Sequence, residues 1–169
     1  VLQCQGLESV GNLLAAANLY NLWITHSQSS DKNLALFNYA IVLNRLGKIE
    51  EAIQAYTIGI QVEPTLGENY VNLGLLLERQ GHVGKAIETW SNLVQLFDQG
   101  HPIKLEMVTT ALNHIGRAYE NMRQYDAAEE ALKKSLGVNP HQPGAIQHHL
   151  HIRQKACKWP IFEPLPGLD

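Results

Sequence analysis

Cysteine is scarce. Cys4 and Cys157 are the only two, and they lie at opposite ends of 169 residues. No disulfide framework is implied, so a reducing compartment, the cytoplasm, is expected. Positive charge is also in deficit: 13 Lys and Arg stand against 16 Asp and Glu, a formal net charge of −3. A mildly acidic chain lacks the basic stripe that nucleic acid requires. No apolar run approaches the ~18 residues of a membrane span. No basic flank with an apolar stretch behind it marks a signal peptide. Nucleophile elbow, P-loop and GxGxxG motifs are missing as well. The chain starts at Val1, as expected of an excised or processed fragment. What remains is a globular composition, 45% hydrophobic and 17% charged. It suits one domain or a small stack of repeats, long enough to bury most of its unfolded surface.

A repeat runs through the chain. Gly47 and Gly81 stand 34 residues apart, each after an apolar helical pattern. Leu36–Pro64 aligns with Tyr70–Asp98, with Ala40 over Gly74, Leu43 over Leu77, Ala52 over Ala86 and Tyr56 over Trp90. Leu112–Pro140 supplies Gly116, Tyr119, Ala128 and Leu132 in the same phase, displaced by eight residues around Gln99–Glu106. Gly100 and Pro102 in that insertion predict a longer loop. A degenerate, truncated copy opens the chain, with Gly11, Ala16, Tyr20 and Trp23 over Gly47, Ala52, Tyr56 and Gly59; two extra residues follow it in the polar run Ser27–Asn33.

Each copy predicts two helices and a tight turn. Apolar positions 36, 39, 40, 43 and 46 follow helical spacing over Asn33–Leu46. Gly47 permits a left-handed helix end, and Pro64 stops a second helix over Ile49–Val62. Ala52 and Ala86 mark close helix crossings, and Tyr56 and Trp90 fill the gap one turn later. One such pair cannot bury both apolar faces, so neighbouring pairs must stack. Pro143 opens a further helix to about Cys157, with Ile146, Leu150 and Ile152 as its apolar side. Pro160, Pro164 and Pro166 make the remainder extended.

The pattern resembles the tetratricopeptide repeat family, whose signature is best matched by Tyr70, Leu73, Gly74, Leu77, Ala86 and Trp90. The resemblance implies an all-α right-handed solenoid. Its divisions would be a truncated repeat at 1–32, full repeats at 33–66, 67–100 and 109–142, a capping helix at 143–158 and an extended tail at 159–169. Departures are Ala40 for Gly, Asp98 for Pro, Leu132 for the aromatic, and Arg123 at the turn, where a left-handed backbone costs stability. Ala15–Ile24 and the stretch Arg153–Pro160 are similar to bacterial SPINDLY-type, O-GlcNAc-transferase-like glycosyltransferases, at the link between repeats and catalytic domain. That resemblance implies a nucleotide-sugar site beyond Asp169 and no transferase chemistry within this fragment.

Catalytic and metal readings are thin. His148 and His151 share a helix face at i, i+3, a geometry that can hold a metal, but no second ligand pair or CxxC accompanies them. A polar helix face explains them, so neither metal nor cofactor is expected. Cys157 beside Lys155 and Lys158 reads as a small apolar residue packing at a helix end. The pairs Glu50-Glu51 and Glu129-Glu130 read as helix-dipole partners at helix starts.

Binding fits the residues better. Between the packing positions, the first helices of the repeats offer Asn38, Asn44, Arg45, Asn72, Glu78, Arg79, Asn113, His114, Arg117, Glu120 and Asn121. Asn carries both a donor and an acceptor, so Asn38 and Asn72, in the same phase, suit an extended peptide backbone. The glycosyltransferase resemblance implies that role for them, although His114 replaces the third rung. Arg45, Arg79 and Arg117 suit acidic groups. A chaperone-tail adaptor would need Lys and Asn where Phe37 and Ile41 stand, and Lys and Arg where Thr110 and His114 stand; only Asn72 fits, so that reading is rejected. Protein or peptide partners are therefore expected, without nucleic acid or membrane. Self-association through the apolar end of the truncated first repeat is a further expectation. A freestanding scaffold is the alternative to a transferase arm, and a metal- or thiol-dependent enzyme rests only on the His cluster and Cys157.

Overall fold

The computed structural model describes residues 2–9, 11–26 and 32–161. Among them run α1 (Leu2–Ser9), α2 (Leu13–His26), α3 (Lys32–Arg45), α4 (Ile49–Val62), α5 (Gly67–Arg79), α6 (Val83–Asp98), α7 (Leu105–Asn121), α8 (Tyr125–Val138) and α9 (Pro143–Lys155). Each helix packs on the next in chain order, and α5 also touches α7. The result is a helical solenoid with odd-numbered helices in one layer and even-numbered helices in the other.

The turn inside each pair repeats one backbone device. Gly11, Gly47 and Gly81 have φ of 79°, 74° and 80°, and Arg123 follows at 58°. The next residue donates its N–H five residues back, as Lys48 to Leu43, His82 to Leu77 and Gln124 to Tyr119. This satisfies carbonyls that the helix end would orphan. Cys157 repeats the device, with φ of 53° and Lys158 donating to the Arg153 carbonyl. It stands 34 residues after Arg123. So α9 ends in the same turn as the first helices of the repeats and at the same spacing, and Cys157 is its exposed turn residue, not the buried packing residue that the sequence suggests.

Size matching governs each pair. The residue seven before the turn faces the residue nine after it. Gly74 faces Trp90 and Gly116 faces Leu132; the phase-equivalents are Ala40 with Tyr56 and Cys4 with Tyr20. All but Gly74 and Gly116, which lack a side chain, are at most 2% exposed. Cys4 thereby takes the small-residue position of the first copy, within the short helix α1.

A second size exchange joins neighbouring pairs. A Cβ added at Gly59 would lie 2.8 Å from Asn69 Nδ2. Ala35, Ala111 and Ala145 hold the Asn69 phase elsewhere. Asn69 is fully buried and its amide has no hydrogen-bond partner among the described residues. Gly59→Ala is therefore expected to cost about 1–2 kcal/mol by overpacking, and the loss should largely vanish in an Asn69→Ala background. Equal losses in both backgrounds, read from urea melts, would contradict this contact.

Three expectations need correction. The insertion is only partly loop: α6 and α7 lengthen to 16 and 17 residues, leaving Gln99–Lys104 between them. The buried side of α9 is Ala145, His149, Ile152 and Arg153, with Ile146 and Leu150 half-buried. Glu129 lies beyond the first turn of α8 and is 3% exposed, so the helix dipole does not explain it. Residues 162–169, and 27–31 of the polar run, lie outside the described residues.

Candidate peptide-binding groove

Helices α3 and α5 bring three of the expected residues together. Asn44, Asn72 and Arg79 line one cavity of about 270 Å³, whose apolar lining is Ile41, Leu75, Leu76 and Tyr56. On α5 these residues fall at 72, 75, 76 and 79, one stripe of a helix face. Tyr56 is almost fully buried, which pushes its phenol up to about 12, so it stays neutral. Its ring packs edge-on against Phe37, with centroids 6.2 Å apart.

The other expected residues, Asn121 apart, are engaged elsewhere. Asn38 faces the Tyr20 hydroxyl, which donates to Glu8 Oε1 at 2.8 Å. Burial foremost, then Glu8, raises the Tyr20 pKa, while Asn38 opposes them. Asn113 donates to Gln142 Oε1 at 3.0 Å, towards the start of α9. Half-buried His114 stacks on Trp90 with centroids 5.2 Å apart. Arg117 has no acceptor to offer, so its Nη2 donates to His114 Nδ1 at 3.2 Å, which puts the imidazole proton on Nε2. Burial first, and Arg117 next, hold the His114 pKa below its ordinary value, so the ring is neutral at pH 7. Asn121 is exposed at the end of α7.

A ladder of ion pairs crosses the odd-numbered layer. Three residues before the turn stand Glu8, Glu78 and Glu120. Glu8 meets Arg45 of α3 at 3.8 Å. Glu78 meets Arg117 of α7 at 2.7 Å. Glu120 meets Lys155 of α9 at 2.7 Å, and also His148 at 2.6 Å and His151 at 3.6 Å. Hydrogen bonds from Lys155 foremost, then His148, hold the Glu120 carboxyl below its usual range against the opposing effect of burial. In α3 the same phase holds Asn44, and Arg79, the cation that would answer it from α5, makes no ion pair with a described residue. Sequence reading missed the ladder, although the Glu recurrence before the turns was its signal.

The histidines of α9 divide between two carboxylates, His149 lying 3.7 Å from Glu129. Among the described residues no three His, Cys, Asp or Glu side chains converge at metal-binding spacing. No described helix is long and apolar enough to cross a membrane. A larger cavity of about 430 Å³ opens between α6 and α8 over Leu112, Ile115 and Tyr119. Its cation, Lys134, is already held by Asp98 at 2.5 Å.

Residues 109–142 match the sequence model of the tetratricopeptide repeat family. No curated protein matches the chain by sequence. Among solved structures, a tetratricopeptide repeat protein from Parabacteroides merdae superposes with a TM-score of 0.74 at 20% identity, over 92% of this chain and 58% of that one. MamA from Desulfovibrio magneticus gives 0.66 at 18% identity, over 91% and 81%. The first tetratricopeptide domain of Spaghetti (RPAP3), solved bound to the HSP90 peptide SRMEEVD, gives 0.61 at 22% identity, over 77% and 97%. The chain thus has the fold of a tetratricopeptide helical solenoid, and residues 109–142 match that family's repeat.

Proposed function

We propose that this chain is a protein–protein interaction module that holds an extended peptide segment across α3, α5 and α7. The cavity between α3 and α5 carries the reading. Two amides and a guanidinium surround an apolar lining there, the mixture that fixes a peptide's backbone and one of its side chains. The RPAP3 domain's bound peptide is consistent with such a role for the fold. Asn72→Ala is expected to weaken peptide capture about tenfold, the equivalent of one to two groove hydrogen bonds, with helical content unchanged. Asn38→Ala should do much less, because that amide faces Tyr20. Undiminished capture by Asn72→Ala would sink the groove reading.

A finer reading makes the module the acceptor-recruiting arm of a SPINDLY-type glycosyltransferase, with no catalysis in the fragment itself. Its support is the similarity of Ala15–Ile24 and Arg153–Pro160 to that subgroup. Sequencing the parent reading frame past Asp169 tests it. Paired nucleotide-sugar domains would bear it out, and a stop codon soon after Asp169 would leave the freestanding scaffold.

A further inference from the structure

We propose that the α3–α5 cavity is a seat for the side-chain carboxylate of an Asp or Glu within the partner segment, with an apolar neighbour of that residue on Ile41, Leu75 and Leu76. The proposal rests on the groove reading and names the chemistry of its ligand. Its ground is a broken periodicity. At three steps along the odd-numbered layer, a carboxylate placed three residues before a turn is answered by a cation from the following odd-numbered helix: Glu8 by Arg45, Glu78 by Arg117, Glu120 by Lys155. At the α3–α5 step the cation remains and the carboxylate is gone, since Asn44 stands where Glu recurs. Within the odd-numbered layer Arg79 is left without a described carboxylate, whereas Arg45 and Arg117 each hold one.

Space opens at that same step: the cavity of about 270 Å³ is lined by Asn44, Asn72 and Arg79 together. A ligand carboxylate there would take the Arg79 fork in charge-assisted hydrogen bonds. The amides of Asn44 and Asn72 offer further donors, and the ligand completes the ladder from outside. The cavity shares Ile41 and Asn72 with the positions of a chaperone-tail clamp, but its cation, Arg79, and its second amide, Asn44, lie outside that set, and the clamp's cation positions hold Phe37, Thr110 and His114 here. The carboxylate recognised is therefore an internal side chain, and no free chain end is required.

The test is a nuclear magnetic resonance titration with two blocked pentapeptides, acetyl-Ser-Leu-Glu-Leu-Ser-amide and its Gln analogue. The Glu peptide should move the Arg79 Nε–H signal and the side-chain amides of Asn44 and Asn72, binding at least about tenfold more tightly than the Gln peptide. Arg79→Gln should erase that preference. Asn44→Glu should erase it too, because the restored carboxylate occupies Arg79 from within. Neither residue is buried, so both variants should keep the wild-type fold, checked by their amide spectra. Arg45→Gln, which removes a cation already held by Glu8, should leave the preference intact. Equal binding of the two peptides with shifts on α3 and α5 would overturn the carboxylate seat while leaving the groove in place. An undiminished preference in Asn44→Glu would overturn it as well. Shifts from neither peptide on α3, α5 or α7 would overturn the seat and the groove together.

Discussion

Gly74→Ala is expected to destabilise the fold by about 3 kcal/mol, the upper end of the usual overpacking range. A Cβ at that position would fall 2.1 Å from Trp90 Nε1 and 2.4 Å from Cε2. The indole has nowhere to retreat: it is fully buried, and its N–H donates to the Val71 carbonyl at 3.3 Å. Ala is intrinsically favoured over Gly inside a helix by about 1 kcal/mol, so the sign depends on the neighbour. Gly116 supplies the control, since its added Cβ would sit 3.0 Å from Leu132 Cγ, in a smaller side chain. There the two effects nearly cancel, and Gly116→Ala should fall within about 1 kcal/mol of wild type. Trp90→Leu copies the Gly116–Leu132 pairing, so Gly74→Ala should cost much less in that background than in wild type, a coupling of about 1–3 kcal/mol in a double-mutant cycle. An unaltered melting temperature for Gly74→Ala would show that α5 and α6 do not cross there.

Acid should strip about 3 kcal/mol from the fold through one carboxylate. Glu129 is 3% exposed, with Arg153 Nη1 at 2.5 Å, Lys158 Nζ at 2.5 Å and Lys133 Nζ at 3.1 Å. Burial alone would raise its pKa, but hydrogen bonds from Lys158, Lys133 and Arg153 outweigh burial and hold it at about 2, against 4.5 unperturbed. The folded-state pKa is the lower one, so the contribution is complete above about 4.5. It is lost as pH falls from there towards about 2, at about 1.4 kcal/mol per unit. Glu129→Gln should cost about 3 kcal/mol at pH 7, because Arg153 stays buried with its carboxylate removed. It should also flatten the pH dependence in that window. Glu129→Ile with Arg153→Leu should return near wild-type stability, since well-packed apolar groups often replace a buried ion pair without loss. Urea melts at pH 7 and pH 3.5 decide this. Equal acid sensitivity in wild type and Glu129→Gln would refute the assignment.

That last double variant shows what the sequence conceals. Glu129 occupies the phase of Ile53 and Ile87, and Arg153 that of Leu43 and Leu77. Hydrophobic periodicity locates α3 to α8 because their buried stripes are apolar. It misplaces the buried side of α9, where His149 and Arg153 sit at core positions and Arg153 is held by the Glu129 carboxylate and the Pro160 carbonyl. The turns were legible, Arg123 included, because a left-handed residue recurs at a fixed phase. The site was legible by element but not by direction. Asn38 and Asn72 share a phase, yet one faces Tyr20 and the other lines the cavity, because Tyr20 and Glu8 reach Asn38 from the first pair. Likewise Arg45 and Arg79 share a phase two residues before their turns, and only the Glu recurrence separates Arg79 from Arg45, which is held in an ion pair.

The most direct test of the central claim is to select binders from a random linear-peptide library and map the tightest one on the protein by amide and side-chain chemical shifts. The account predicts an acidic, apolar-flanked consensus and perturbations along α3, α5 and α7, strongest at Asn44, Asn72 and Arg79. A binder mapped to the α6–α8 cavity around Leu112, Ile115 and Tyr119, with the Asn44–Asn72–Arg79 signals unmoved, would contradict it.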